Sequence, residues 1–260
     1  MQFNEAQIQA IQHNTGPCMV IAGPGSGKTT VLTHRVRYLI ERYGVNPSDI
    51  LVITFTKAAA EQMKLKFKGL SEGRNSAVTF GTFHAVFFTI LKAAYNYSAH
   101  CIIKPQIQHE FVKDQMCRLE LEYDDENEAV AGVLSEISCV KGEDVNIDEY
   151  ESRCIPPQSF RIMYRAYDDM LVRKHLIDFD DMIVQCRELL MQREDYRRAW
   201  QNKYKYILID EFQDINKAQF DVVRILADEY RNLFVVGDDD QSICLLYTSP
   251  SPRDVEESRM

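Results

Sequence analysis

The sequence has no pair of cysteines at C-x-x-C spacing, and its seven cysteines are an odd number. This pattern argues against a disulfide scaffold and against a zinc site, and it favours reduced thiols. Also missing are an apolar run long enough to span a membrane and a basic leader followed by an apolar stretch. We therefore expect a cytoplasmic protein with no membrane partner.

Positive charge is scarce as well, because 30 Lys and Arg face 39 Asp and Glu, a net charge of −9. That balance argues against a protein that binds nucleic acid through a basic surface overall. It leaves room for a local basic groove, since phosphate contacts depend on where the positive charge lies. With 260 residues and 45% hydrophobic content, the chain can bury one large core or two smaller ones.

A glycine-rich stretch, residues 18–30, reads C-M-V-I-A-G-P-G-S-G-K-T-T. The order of apolar run, glycine-rich turn and helical apolar spacing predicts the strand, loop and helix of a phosphate-binding loop. There Lys28 would reach the β- and γ-phosphates of ATP, and Thr29 would hold Mg²⁺ through its hydroxyl. The predicted nucleotide-binding residues of the loop are Ala22, Gly23, Pro24, Gly25, Ser26, Gly27, Lys28, Thr29 and Thr30. Ala22 replaces the first glycine of the strict motif, and a glycine-rich surface turn is the alternative interpretation.

Strand and helix patterns alternate along most of the chain. Residues 49–55, 77–80, 206–209 and 232–236 are apolar or β-branched and predict buried strands, with helices between them. The alternation predicts an α/β fold: a RecA-like P-loop NTPase with a parallel sheet and helices on both faces, formed by residues 1–91 and 169–243. Residues 92–168 have no convincing strand pattern and predict an inserted all-helical subdomain. Its acidic stretch, 120–128, predicts a solvated surface because its spacing matches no oxygen-ligand loop.

Two acidic residues follow the apolar strand 206–209 directly. Asp210 and Glu211 should therefore emerge at the carboxyl end of a central strand, where parallel sheets place their ligand sites. We expect Asp210 to hold Mg²⁺ and Glu211 to orient and deprotonate the attacking water. A solvated Asp-Glu pair is the alternative. Gln241 follows a further strand and could sense the γ-phosphate with its amide.

Taken together, these motifs resemble those of the superfamily 1 DNA helicases of the UvrD, Rep and PcrA type. The resemblance spans residues 3–243 and rests on a specific ordered set, which comprises F-N-x-x-Q from Phe3, the phosphate-binding loop, T-F-T-K-A-A-A-E-Q-M from Thr54, G-T-F-H from Gly81, D-F-D-D-M from Asp178, I-D-E-F-Q-D from Ile209 and G-D-D-D-Q-S-I from Gly237.

The resemblance implies an ATP-driven 3′-to-5′ helicase that moves on single-stranded DNA in repair or replication. It implies that Gln7 reads the adenine, and that Gln213, Asp214 and Gln241 couple hydrolysis to movement. The residues it implies for DNA binding are Phe55, Thr56, Lys57, Thr82, Phe83 and His84. Aromatic and hydroxyl groups beside a lysine suit base stacking and phosphate contact.

Two features depart from the family pattern. Thr30 stands where many relatives carry arginine, so a nucleotide contact from that position is in question. After Ile243 the chain reads C-L-L-Y-T-S-P-S-P-R-D, which resembles translated library-adapter sequence. We interpret residues 244–260 as a non-native, disordered tail in place of a second motor domain, which in this family carries the arginine fingers.

The resemblance leaves alternatives open. A helicase–nuclease subunit of a recombination complex shares these motifs, and a chain without the second motor domain could act as a non-catalytic module that binds ATP and single-stranded DNA. For the chain as it stands we expect binding of Mg-ATP with little or no turnover. Protein partners are not indicated by the sequence.

Overall fold

The computed structural model describes residues 3–71 and 77–238. Five strands form one sheet in which every neighbouring pair is parallel, in the order β1-β5-β4-β2-β3. They are β1 (Cys18–Ile21), β2 (Ile50–Thr54), β3 (Thr79–Thr82), β4 (Tyr206–Ile209) and β5 (Leu233–Gly237). The helices of the described residues are α1 (Glu5–Gln12), α2 (Lys28–Tyr43), α3 (Lys57–Leu70), α4 (Phe83–Ala94), α5 (Pro105–Arg118), α6 (Glu126–Glu143), α7 (Pro157–Lys174), α8 (Phe179–Gln192), α9 (Glu194–Lys203) and α10 (Lys217–Ala227).

The interior strand β2, which lies between β4 and β3, explains why the sheet needs cover on both sides. Its five residues are all buried, and because side chains alternate along a strand they point to both faces. Ile50 and Val52 belong to a core that includes Leu32 and Leu39 of α2 and Met63 of α3. A parallel sheet with buried apolar strands confirms the predicted α/β, RecA-like class.

Local sequence determines several helix boundaries. Asn4 caps α1 in a reciprocal capping box with Gln7, and the Thr56 hydroxyl accepts a hydrogen bond from the Ala59 N–H at the start of α3. Between α7 and α8 the break is equally local, because Asp178 forms a second capping box that starts α8.

The third strand lies two residues further along the chain than the 77–80 predicted from the pattern. Thr79 pairs with Leu51 and Thr82 pairs with Thr54, so pairing with β2 determines the bounds of β3. Gly81, which falls outside the predicted strand, lies inside β3. The apolar pattern of four residues could not reveal that register.

The chain divides into two compact units. The first takes the chain up to Phe83, Arg198–Ile215 and the chain from Leu226 onward, and it contains the sheet. The second consists of His84–Arg197 and Asn216–Ile225, and its core lies among α5, α6 and α7. The predicted insertion, 92–168, falls within the second unit, and its bounds stay a prediction. In the described ranges no helix has the length and apolar content needed to cross a membrane.

Candidate functional site

The phosphate-binding loop connects β1 to the first turn of α2. Gly25 and Gly27 have φ of 73° and 85°, a left-handed conformation that favours glycine. Gly27 is the N-cap of α2 and offers no side chain to the first-turn N–H groups, which suits a helix end that faces an anion. Ala22 donates its N–H to the Gly237 carbonyl at 3.0 Å and so ties the loop to β5.

Lys28 is one of four residues in a closed ring of polar contacts at the carboxyl ends of β4 and β5. Its Nζ lies 3.3 Å from Asp238 Oδ2 and 3.7 Å from Glu211 Oε2. Gln213 Nε2 donates to Glu211 Oε2 at 2.9 Å, and the Asp238 N–H donates to Gln213 Oε1 at 3.0 Å. The structure therefore brings Lys28 and Glu211 together, and the roles given to them from the sequence stay predictions.

Asp238 belongs to this ring but was not among the predicted site residues. It follows β5 directly, as Asp210 follows β4, and it is 3% exposed. The available signal was its position after an apolar strand in G-D-D-D-Q-S-I, where only Gln241 had been given a role. Gln241 itself and residues 244–260 lie outside the described residues.

Asp210 is a buried carboxyl at the end of β4. Its N–H donates to the Ile53 carbonyl at 3.0 Å, which holds it against β2. Burial, and next the neighbouring charge of Glu211, raise the pKa of Asp210 to about 6. Glu211 follows in a left-handed conformation, with φ of 54°. A buried carboxylate whose charge is poorly compensated favours a cation beside it.

Gln7 reaches the phosphate-binding loop from α1. Its Nε2 donates to the Ser26 carbonyl at 2.9 Å, and a Cβ placed on Gly27 would lie 3.6 Å from that nitrogen. Thr30 is on the same side, 3.9 Å from that Cβ position, and its hydroxyl accepts a hydrogen bond from Lys66 Nζ at 2.7 Å. Lys66 was not predicted from the sequence, because its contact is with a residue 36 positions away.

Five of the predicted DNA residues lie at the carboxyl ends of β2 and β3. The rings of Phe55 and Phe83 meet edge to face with centroids 5.2 Å apart. Thr82, the last residue of β3, pairs with the last residue of β2. Thr56 caps α3, and Lys57 begins it with a side chain that is 87% exposed.

His84, the sixth predicted DNA residue, lies in the second unit. Its ring meets that of Phe179 edge to face at 5.1 Å, and burial lowers the pKa of His84. Phe179 had no assigned role although it stands in the quoted D-F-D-D-M motif. The available signal was an aromatic residue among the acids of that motif, and in the structure Phe179 is 52% exposed at the start of α8.

The arginines that follow the loop along α2 have other partners. Arg35 is 2% exposed and donates to the carbonyls of His13 and Ala10, while its guanidinium lies 4.3 Å from the centroid of the Phe234 ring. Arg37 pairs with Glu41 at 2.9 Å. Both guanidinium groups are therefore engaged away from the phosphate-binding loop.

A parallel sheet with a phosphate-binding loop after β1 and an acidic pair after β4 is the arrangement of a RecA-like P-loop domain. The chain belongs to the UvrD/REP helicase family, whose N-terminal domain model matches residues 3–245. It is similar to the ATP-dependent DNA helicase PcrA of Staphylococcus epidermidis, with 34% identity over 253 residues that cover 93% of this chain and 34% of that protein. A putative ATP-dependent DNA helicase, YjcD of Bacillus subtilis, is 36% identical over 253 residues, or 93% of this chain and 32% of that protein. The chain thus spans about a third of the length of these relatives.

Proposed function

We propose that this chain is the ATP-binding motor domain of a cytoplasmic 3′-to-5′ DNA helicase that translocates on single-stranded DNA in repair or replication. The observation that carries the proposal is the ring that joins Lys28, Glu211, Gln213 and Asp238. It links the phosphate-binding loop to the ends of β4 and β5. A phosphate that binds Lys28 would compete with both carboxylates of the ring. Nucleotide binding would therefore change the contacts at the ends of β4 and β5.

In this proposal the loop residues Ala22 to Thr30 bind the phosphates through their N–H groups, and Lys28 neutralises the β- and γ-phosphates. Gln7 reads the adenine from its position beside Ser26. Glu211 orients and deprotonates the attacking water, and its bond to Gln213 holds the carboxylate in place. Gln241 contacts the γ-phosphate.

The residues present fit Mg²⁺, the metal that a nucleotide of this kind brings. Thr29 offers a hydroxyl oxygen and Asp210 a buried carboxylate with a raised pKa, both oxygen donors suited to a hard cation. Within the described ranges no group of three or more His, Cys, Asp or Glu forms a metal cluster, so the remaining ligands would be nucleotide oxygens and water. When bound, Mg²⁺ would neutralise charge on the phosphates.

The proposed DNA-binding residues are Phe55, Thr56, Lys57, Thr82, Phe83 and His84. Their support is chemical: the half-buried ring of Phe55 offers a surface for a base, and the exposed ammonium of Lys57 offers a phosphate contact. Phe83 is only 1% exposed, so its ring would support that of Phe55 from below and not stack on a base itself. Single-stranded DNA is the substrate that such groups fit, because its bases are free to stack.

Hydrolysis by the 260-residue chain, with and without saturating single-stranded DNA, tests the proposal. We expect Mg-ATP binding with slow turnover, because Arg35 and Arg37 are engaged elsewhere and an arginine finger contributes about 10³- to 10⁵-fold in rate. The variant E211Q should bind ATP normally and lose the residual hydrolysis, whereas E41Q, on the exposed side of α2, should leave both unchanged.

Three outcomes would change the proposal. Absence of ATP binding would overturn it, and unchanged hydrolysis by E211Q would remove Glu211 as the base. Binding of ATP and DNA with no hydrolysis at all would indicate a non-catalytic binding module. The direction of movement is tested on single-stranded DNA that carries a block at one end or the other. A 3′-to-5′ translocase should displace the block from the 5′ end and not from the 3′ end.

A further inference from the structure

The first turn of α8 carries the side chains of D-F-D-D, and its three acids are all held by contacts within the second unit. Asp178 caps the helix: its Oδ1 accepts the Asp181 N–H at 2.6 Å, and Asp181 Oδ2 accepts the Asp178 N–H at 3.2 Å. This reciprocal capping box fixes the direction in which α8 begins.

Lys141 of α6 binds the same turn from outside the helix. Its Nζ lies 3.0 Å from Asp178 Oδ2, 2.7 Å from Asp181 Oδ1 and 3.0 Å from Asp168 Oδ1. The lysine side chain is only 4% exposed. A buried ammonium with three carboxylate partners has its donors satisfied in one geometry, and moving it would leave charges unpaired.

Ser138 holds the remaining acid. It lies three residues before Lys141 on α6, and its hydroxyl donates to Asp180 Oδ2 at 2.7 Å. One face of α6 therefore holds Asp178, Asp180 and Asp181 at once. Tyr167 of α7 adds a hydrogen bond from its hydroxyl to Asp178 Oδ2 at 3.1 Å.

Phe179, between these acids, is directed elsewhere. Its ring is half exposed and packs edge to face on His84, and both residues line a cavity of about 560 Å³. Phe179 is thus flanked on both sides by residues that α6 holds, Asp178 and Asp180. His84 in turn depends on Phe179 for that packing contact.

We propose that Lys141 and Ser138 are positioning residues that set the Phe179–His84 ring pair for contact with single-stranded DNA. The inference rests on the proposed function, since it uses the DNA-binding role of His84. Neither Lys141 nor Ser138 needs to touch DNA. Their effect is transmitted through the first turn of α8, a rigid hydrogen-bonded element.

Charge offers a competing explanation that the experiment must separate. The cluster of Lys141 with Asp168, Asp178 and Asp181 has one positive and three negative charges. Loss of Lys141 would make it more negative and could repel DNA without moving any ring. S138A removes the Asp180 contact with no change of charge, so it is the primary variant.

Single-stranded DNA affinity of the full chain is compared with ATP affinity for S138A, K141M and K113M. The matched control K113M also loses one charge and one contact, from the exposed Lys113–Glu126 pair on the same unit. We expect DNA affinity to fall by about 3- to 30-fold in S138A and K141M, with ATP affinity unchanged, and no loss in K113M beyond a small salt-dependent change.

A second readout follows the ring pair directly. The chemical shifts of the His84 ring protons depend on the neighbouring Phe179 ring. They should therefore change in S138A and K141M and remain unchanged in K113M. If K141M does not fold, S138A decides alone. The double variant K141M/D181N has the same cluster charge as the original chain, and we expect it to remain weak for DNA.

Normal DNA affinity in folded S138A would overturn the inference, as would full rescue by K141M/D181N, which would favour the charge explanation. The variant H84A separates this result from the proposed function. If H84A binds DNA normally, the DNA-binding role of His84 is wrong; if H84A weakens binding and S138A does not, only the positioning role fails.

Discussion

Among the described residues, each unit contains a lysine whose side chain is at most 10% exposed and contacts carboxylates, and the two clusters differ in how completely the charges are paired. In the second unit Lys141 meets three carboxylates within 3.0 Å and lies over the Tyr167 ring. Burial works against its charge, but the carboxylates of Asp178, Asp181 and Asp168 outweigh it and raise the pKa of Lys141.

In the first unit Lys28 has looser contacts, 3.3 Å to Asp238 and 3.7 Å to Glu211. Glu211 has a side chain that is 43% exposed, and Asp210 beside it carries a raised pKa. A lysine–carboxylate cluster can therefore be structural, or its contacts can be open to exchange with another partner. Short contacts that satisfy every donor hold helices together, whereas long contacts beside an uncompensated acid leave room for phosphate and metal.

The largest expected effect separates the clusters by stability. K141M should destabilise the second unit by about 3–5 kcal/mol, because it leaves buried carboxylates without a cation. K28M should cost less, about 1–3 kcal/mol, since Glu211 can turn to water and only the carboxylate of Asp238 stays buried without its cation. Urea denaturation of both variants measures the difference, and equal losses would show that the clusters do not differ in this way.

The second prediction concerns ATP affinity, which should depend on Lys28 more than on Lys141. K28A should weaken ATP binding at least about 100-fold while the fold remains intact, because in the proposed function the Lys28 charge contacts phosphate. K141M, where it folds, should bind ATP as the original chain does. K64A, an exposed lysine on α3, is the control, and unchanged ATP affinity in K28A would contradict the assignment of the phosphate-binding loop.

A third, smaller effect concerns the uncompensated acid of the first unit. The pKa of Asp210 is raised from 3.8 to about 6 in the folded chain, so its ionised form opposes folding. The stability contributed by protonated Asp210 is present below pH 3.8 and is lost as the pH rises through about 6. D210N should therefore be more stable than the original chain at pH 7 without Mg²⁺, by about 1–3 kcal/mol.

Unfolding measured at pH 4 and pH 7 checks this prediction. The gain in D210N should shrink at pH 4, where Asp210 is largely protonated. A gain that is equal at both pH values would mean that the substitution acts through packing and not through charge.

The smallest expected effect lies within the Lys141 cluster. Asp168 has a side chain that is 41% exposed, so water screens its pairing with Lys141. D168N should cost less than about 1 kcal/mol, whereas D178N, at a buried partner, should cost clearly more. Similar losses of stability in the two variants, measured by denaturation, would show that the exposure of a carboxylate does not determine how much its pairing with Lys141 stabilises the fold.

Sequence patterns revealed the parts of the site that are local. The phosphate-binding loop and the acids after β4 are encoded by contiguous residues, and the structure brings Lys28 within 3.7 Å of Glu211. The shift of β3 to Thr79–Thr82 was hidden because strand register depends on pairing with β2. A short apolar run predicts that a strand is present more reliably than it predicts the residues at which the strand begins and ends.

The missed residues are those whose role depends on distant partners. Lys141 binds Asp178 from 37 positions away, and Lys66 reaches Thr30 across 36. A lysine in a helical pattern is by default a solvated residue, so nothing local distinguishes these two from their exposed neighbours. Asp238 differs, because its place at the end of an apolar strand was visible in the sequence.

The burial of Arg35 has a consequence for the motions of the N-terminal helix. An eight-residue helix such as α1 is marginal alone and would be expected to fray. Arg35 binds the carbonyls of Ala10 and His13 at its carboxyl end, so opening α1 would strip a buried guanidinium of its partners. Helix α1, which carries Gln7, should therefore open only together with α2, and its amide protons should exchange with solvent as slowly as those of the longer helix.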